Sequence, residues 1–321
     1  MNENRVTDLV QSLLSSAFMI LGVLGLAYWA NRAQHDRSAF VGLYLLFGIP
    51  GGLLIAAGLV KLVTSDLHTG VLFLLIGLGL TLPLIRQVRV ALTDIAPLDP
   101  DSAIDMTGLC VLFAALGLFV ANSLESGAAN PPDVSVIPSV SVAALVLQAA
   151  VFLAIAYIAV GFPYWRDLRQ ATERLGIVVP DARTIGLGVA GMFAAFLVAG
   201  LAGYLAQQLN PSLDESLNEI VDTMTANVQN PLGAIILGAS AGIGEEAVFR
   251  GALQPRYGMV LPSLLFTMLH GPQYGFNVAL LGLFGVSMIL ALLRKNANTT
   301  AAMIAHALYN AVQVLALSMI S

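Results

Sequence analysis

Long apolar stretches separated by short polar breaks run along almost the whole chain. All but one of them approach the length of about 20 residues that a helix needs to cross a hydrocarbon core. The exception, at 261–271, is too short to cross alone. The pattern predicts an all-α, polytopic transmembrane helical bundle of about nine or ten helices, at residues 12–30, 40–61, 69–86, 106–122, 139–161, 184–207, 231–249, 261–271, 276–293 and 299–319.

Composition agrees with a membrane protein. Hydrophobic residues make up 58% of the chain and charged residues only 10%, whereas soluble domains carry about 25% charged residues. The net charge is −5, and Lys and Arg do not cluster as they do in nucleic-acid-binding proteins, so we expect no nucleic-acid partner. The expected surroundings are a lipid bilayer.

Apart from Lys61, which follows the second span, the Lys and Arg residues between spans lie in alternate loops. The loops at 123–138 and 208–230 contain no Lys or Arg, so the positive-inside rule predicts that they lie outside and that the basic loops are cytoplasmic. Apolar residues at helical spacing within 208–230 predict an amphipathic helix along the membrane surface. The basic residues of the loops predicted to be cytoplasmic are Arg32, Arg37, Arg86, Arg89, Arg166, Arg169, Arg174, Arg183, Arg250, Arg256, Arg294 and Lys295.

We expect an integral, multi-pass protein of a prokaryotic plasma membrane. The expectation of a prokaryotic source rests on the lack of a visible eukaryotic targeting signal or retention tail.

Four ionisable residues lie inside apolar stretches of the last third of the chain: Glu245, Glu246, His270 and His306. A charge at bilayer depth costs roughly 2.5–3.5 kcal/mol on insertion scales, so such groups usually face the bundle interior and serve a function. Residues four apart share one face of a helix. This spacing recurs in three pairs: Glu246 with Arg250, Phe266 with His270, and His306 with Asn310.

These pairs belong to three short motifs that resemble those of the CAAX protease and bacteriocin-processing family, which includes the type II CAAX prenyl endopeptidases. The family motifs are EExxxR, FxxxH and HxxxN, and their order and separation match. The corresponding segments are EEAVFRG at 245–251, FTMLH at 266–270 and HALYN at 306–310. The resemblance covers 184–319 and implies an intramembrane protease domain there. Residues 1–161 then form an N-terminal transmembrane extension of about five helices, whose role is unknown.

The resemblance also implies roles for single residues. Glu245 would be the general base that activates a water, and His270 would help to position that water. His306 and Asn310 would stabilise the oxyanion. This is chemically consistent, because imidazole and amide groups can donate hydrogen bonds to developing negative charge.

Glu246 and Arg250 would orient the first glutamate and link helices. Their spacing allows an ion pair, which leaves Glu245, about 100° round the helix, available for different work. The resulting expectation is a cofactor-free endopeptidase that cuts a membrane-anchored or hydrophobic peptide or protein substrate near the cytoplasmic face.

Three alternatives stay open at this point. Two histidines and a carboxylate could bind zinc, although the chain lacks the HExxH motif. The same residues could form the proton relay of a proton-coupled transporter. A non-proteolytic membrane scaffold or regulatory protein could also keep the constellation.

Overall fold

The protein is a bundle of helices. The computed structural model describes residues 3–125, 137–209 and 211–319, and all regular secondary structure in these ranges is helical. Nine described helices are long and apolar enough to cross a membrane, which confirms the predicted fold class. The helices are α1 Glu3–Arg32, α2 Arg37–Val63, α3 Leu67–Thr81, α4 Arg86–Leu92, α5 Ala103–Glu125, α6 Val142–Ala159, α7 Leu168–Leu175, α8 Ala182–Leu209, α9 Pro211–Thr225, α10 Pro231–Glu246, α11 Gln254–Tyr257, α12 Val260–Leu269, α13 Gly271–Tyr274, α14 Val278–Asn296 and α15 Thr299–Leu317.

Polar residues at the breaks start many of these helices. An Asp, Ser or Asn side-chain oxygen accepts a hydrogen bond from a backbone amide of the first turn, which would otherwise lack a partner. These N-cap residues are Asp36 for α2, Asp66 for α3, Ser141 for α6, Asp167 for α7, Asn230 for α10, Asn277 for α14 and Asn298 for α15.

The basic loops meet at one end of the bundle. Arg86 pairs with Asp101, and Arg256 pairs with Asp105 at the start of α5. The backbone amide of Thr299 donates to the carbonyl of Gly176, at 3.0 Å, which joins the start of α15 to the end of α7. The loops that the charge pattern groups together are therefore neighbours in the structure.

At the opposite end, the segment just before α6 meets the second acidic loop. Asn227 donates to Ser139 at 2.7 Å, and the amide of Val140 donates to the carbonyl of Met224 at 2.8 Å. The predicted amphipathic helix is present as α9. Between the two ends the outer surface is apolar, with large exposed side chains such as Phe18, Leu197 and Leu281. The chain is therefore a multi-pass integral membrane protein.

The short eighth stretch does not form a spanning helix. It becomes α12, which ends at Leu269, and the chain turns at His270 before the single turn of α13. Pro272, at the start of α13, cannot donate the amide hydrogen bond that would continue α12. A methyl group at Gly271 would collide with Ser123 of α5, so that helix supports the turn from behind.

Candidate active site

The helix with the two glutamates changes its geometry directly after them. Helix α10 ends at Glu246, and the next seven residues, Ala247–Leu253, form a π-helix. Within it the amide of Gln254 donates to the carbonyl of Phe249, five residues back. Such π segments are rare in proteins, and those that occur often lie at functional sites.

Glycines bring the glutamate helix against α15. A methyl group at Gly242 would lie 2.6 Å from the carbonyl oxygen of Met303 and 2.9 Å from the Cβ of Ala307, and one at Gly238 would meet the carbonyl of Ala307. Small residues at this four-residue spacing let helix backbones approach closely in membranes. The close approach places Glu246 within hydrogen-bonding reach of His306.

Glu246 is the centre of a buried charge network. Its Oε1 accepts a hydrogen bond from Nδ1 of His306 at 2.8 Å, and its Oε2 lies 3.1 Å from Nε of Arg250. The second contact is an ion pair by distance, although the N–H does not point along a hydrogen bond. The carboxylate is fully buried and the guanidinium is 1% exposed. The ion pair predicted from the i,i+4 spacing is therefore present.

Arg250 connects this network to α14. Its Nη2 donates to both the carbonyl oxygen and the hydroxyl of Ser287, each at 2.9 Å. Nη1 has no hydrogen-bond partner among the described residues. The guanidinium also lies over the ring of Phe266, 4.9 Å from its centroid. Three helical segments are thus tied together by one carboxylate and one guanidinium.

The ring of Phe266 packs against the guanidinium of Arg250 and against the rings of both histidines. Its ring centroid lies 4.9 Å from that of His270 and 5.8 Å from that of His306, and Phe249 meets it edge-on at 5.3 Å. The phenylalanine of the FxxxH motif therefore holds both histidines in place by packing.

His270 has one ring nitrogen fixed and one available. Its Nδ1 lies 2.9 Å from the carbonyl oxygen of Phe266. A carbonyl only accepts, so this contact assigns the proton to Nδ1 and leaves a lone pair on Nε2. The histidine at the end of α12 can therefore accept a hydrogen bond from a water.

Glu245 has a different environment from its neighbour. Its side chain is buried, at 6% exposure, and its Oε1 accepts a long hydrogen bond, 3.4 Å, from Nε2 of Gln148 on α6. No hydrogen bond joins it to His270 within the described ranges. Gly244 permits this arrangement, because a methyl group there would lie 3.0 Å from the Cα of Ala149.

Sequence reasoning missed Gln148. It lies within 139–161, the fifth apolar stretch, and it is the one amide in helix α6. A strongly polar side chain in the middle of an apolar span was the available signal.

Asn310 lies one helical turn after His306, half-buried on α15. Among the described residues it has no hydrogen-bond partner, so its contribution to the oxyanion stays a prediction. No three His, Cys, Asp or Glu side chains in the described part of the chain are grouped so that they could hold a metal ion.

The fold and the site define a multi-pass membrane protein with a buried carboxylate–imidazole–guanidinium centre. Residues 227–312 match the family model described as type II CAAX prenyl endopeptidase Rce1-like, and all three motifs lie inside the matched segment. The family resemblance is thereby confirmed, and it suggests a membrane protease of the CAAX type. No curated protein and no solved structure matches the chain. The boundaries 1–161 and 184–319 stay predictions.

Proposed function

We propose that the protein is an intramembrane endopeptidase in which Glu245 activates a water. The observation that carries the proposal is the unequal use of the two adjacent glutamates. Glu246 is held by both Arg250 and His306, whereas the one hydrogen bond of Glu245 to a described residue is the 3.4 Å contact with Gln148. Both oxygens of Glu246 face a donor or a cation, whereas Oε2 of Glu245 faces neither among the described residues, so Glu245 is the carboxylate with an oxygen left for a water.

The groups around Glu245 supply the other requirements of peptide hydrolysis. A general base must lie within hydrogen-bonding reach of the proton it removes, and a lone pair on Nε2 of His270 offers the same water a second acceptor. The carboxylate of Glu246 stabilises positive charge on His306, whose Nε2 can then donate to the developing oxyanion. Asn310 would supply the second donor.

The proposed substrate is a membrane-anchored or hydrophobic peptide or protein that is cut near the cytoplasmic face of a prokaryotic plasma membrane. Two observations support this substrate class. The centre lies within apolar helices, so the substrate has to reach it from the membrane or from its surface. The basic loops, which the positive-inside rule assigns to the cytoplasm, all lie at one end of the bundle.

The test is cleavage of a panel of membrane-anchored peptides, prenylated and unprenylated, by the purified protein in liposomes. Glu245→Gln keeps the shape of the side chain but removes the base. We expect it to lower the cleavage rate by about 10²–10⁴-fold, the usual contribution of a general base. Glu173→Gln is the matched control, because Glu173 is an exposed glutamate in a surface ion pair.

A chelator arm separates the glutamate mechanism from a zinc-dependent one. Cleavage that survives the chelator and is lost in Glu245→Gln supports the proposal. Loss of cleavage with the chelator would instead assign the histidines to a metal. Equal cleavage by the wild type and Glu245→Gln would contradict the assigned base. If no peptide is cut while a proton gradient drives solute flux, the transporter alternative replaces the peptidase.

A further inference from the structure

A cavity of about 510 Å³ opens at the end of the bundle where the basic loops meet. It lies between the π-helix end of the glutamate helix, the end of α14 and the segment before α5. Its polar lining is Gln254, Arg294 and Lys295, and its apolar lining includes Ile95 and Val260. Neither the proposed catalytic chemistry nor the three motifs use this cavity.

Four arginines from separate segments border the same region. Burial and the charges of Arg256, Arg166 and Arg294 lower the pKa of the Arg174 guanidinium below its ordinary value. Arg174 is half-buried and has no acidic side chain within ion-pair distance among the residues that the structure describes. Like charges are thus held together without a matching set of carboxylates.

The other three arginines have partners that leave most of this charge uncompensated. Arg256 pairs with Asp105, whereas Arg166 and Arg294 donate to the backbone carbonyls of Val160 and Arg250. A carbonyl is a dipole and brings no negative charge. Of the four guanidinium groups, one therefore has an ion pair with a carboxylate among the described residues.

Arg294 belongs to both the cluster and the cavity. A methyl group at Gly176, which follows α7 directly, would lie 2.6 Å from Cζ of Arg294. The close contact places the guanidinium against the last turn of α7, which carries Arg174. The uncompensated charge therefore extends to the cavity wall.

The cavity also contains an unused acceptor. Gln254 is 7% exposed, and its Nε2 donates to the carbonyl oxygen of Ala291 at 2.8 Å. Its Oε1 has no hydrogen-bond partner among the described residues. A buried amide oxygen without a partner costs about 1–3 kcal/mol, so an occupant that carries a donor would relieve that cost.

We propose that this cavity binds the headgroup of an anionic phospholipid that carries both a phosphate and a hydroxyl group, as phosphatidylglycerol does. Arginine and lysine are the residues that bind phosphate oxygens, and basic pockets between membrane helices bind anionic headgroups. The hydroxyl is the donor that Oε1 of Gln254 lacks. Ile95 and Val260 are exposed beside the polar groups and would contact the acyl chains. Free phosphate shares the charge but not the acyl chains.

The experiment measures the thermal unfolding midpoint of the detergent-solubilised full chain, because a ligand that binds only the folded state raises it. The additives are phosphatidylglycerol, phosphatidylcholine and inorganic phosphate at matched concentrations. Native mass spectrometry counts the lipids that stay bound. We expect phosphatidylglycerol alone to raise the midpoint and to stay bound.

The variant that tests the site is Arg174→Gln combined with Lys295→Gln, and its matched control is Arg169→Gln combined with Arg183→Gln. The control pair removes two exposed arginines from the same end of the bundle. We expect the concentration of phosphatidylglycerol that half-saturates the midpoint shift to rise about tenfold in the test variant and to stay unchanged in the control.

If the test variant does not fold, Lys295→Gln alone replaces it, since Lys295 is exposed. An equal response of test and control variants would overturn the site. An equal response to inorganic phosphate would overturn the lipid and leave a free anion as the ligand. Neither readout depends on peptide cleavage.

Discussion

Two buried arginines, one in each half of the molecule, use their donors in opposite ways. Arg89 is 4% exposed, and it donates from Nε to the carbonyl of Pro100 at 2.7 Å and from Nη1 to those of Pro83 and Leu84 at 2.5 and 3.0 Å. Arg250 is 1% exposed, faces a carboxylate and keeps one nitrogen without a partner among the described residues.

The difference separates a structural arginine from one in a candidate active site. Around Arg89, three backbone carbonyls gain donors, so the guanidinium closes the connection between α3 and α5, and no buried nitrogen of Arg89 lacks a partner among the described residues. Around Arg250 the network is incomplete, and incomplete buried networks are unusual enough in native proteins to indicate a ligand, a water or a reaction.

The largest expected effect follows from removing one member of the buried ion pair. Arg250→Met leaves the carboxylate of Glu246 buried without its cation, which costs about 3–5 kcal/mol of stability. The double variant Arg250→Met with Glu246→Met removes both charges, and we expect it to recover most of that stability. Unfolding in a denaturant series measures both.

Cleavage should not recover in the same double variant, because His306 then loses the carboxylate that orients it. Recovery of both stability and cleavage would show that the ion pair of Glu246 with Arg250 has no part in the chemistry. Arg250 would then be a structural arginine, as Arg89 is.

A smaller effect is expected at the other arginine. Arg89→Met leaves the buried carbonyl of Pro83 and the half-buried carbonyl of Pro100 without this donor, whereas the carbonyl of Leu84 keeps the hydroxyl of Tyr44 at 2.8 Å. One buried unsatisfied group costs about 1–3 kcal/mol. The folded fraction of the protein should still cleave substrate at the wild-type rate. The measurement is the cleavage rate per folded molecule, with Arg86→Met, in an exposed ion pair with Asp101, as the matched control.

The smallest expected effect concerns Gln148. Gln148→Leu removes the amide that holds Glu245 but keeps the apolar packing of α6 against α10. We expect about tenfold slower cleavage, as for loss of about 1.4 kcal/mol of orientation, without a change in the unfolding midpoint. Gln148→Glu would place a second carboxylate beside that of Glu245, and we expect it to lower the cleavage rate further. An unchanged rate in Gln148→Leu would show that the N-terminal helices only support the site.

The local part of the site could be predicted from the sequence, and the long-range part could not. The ion pair of Glu246 with Arg250 follows from their spacing on one helix. The hydrogen bond between Glu246 and His306 does not, because it depends on how closely two helices pack 60 residues apart in sequence. Gly238 and Gly242 permit that approach, but a pair of glycines in the sequence does not indicate which helix packs against them.

The same reason explains the omission of Gln148. Apolar length predicted α6 as a span, yet periodicity within one helix cannot say which of its faces meets α10. The fold class was easier to predict from the sequence than the contacts between helices, since each span is determined by its own apolar length and by the polar residue that caps it.

The π-helix has a consequence for how the chain can change in length. A π turn accommodates one residue more than an α turn, so a chain one residue shorter between Ala247 and Leu253 could run on as a plain α-helix. Because the π turn accommodates the extra residue within one turn, the helix after the deletion would keep nearly the same direction relative to the glutamates. The segment that joins the carboxylates to the basic end therefore has room to lose one residue, whereas a deletion within the α-helical part of α10 would rotate everything after it by about 100°.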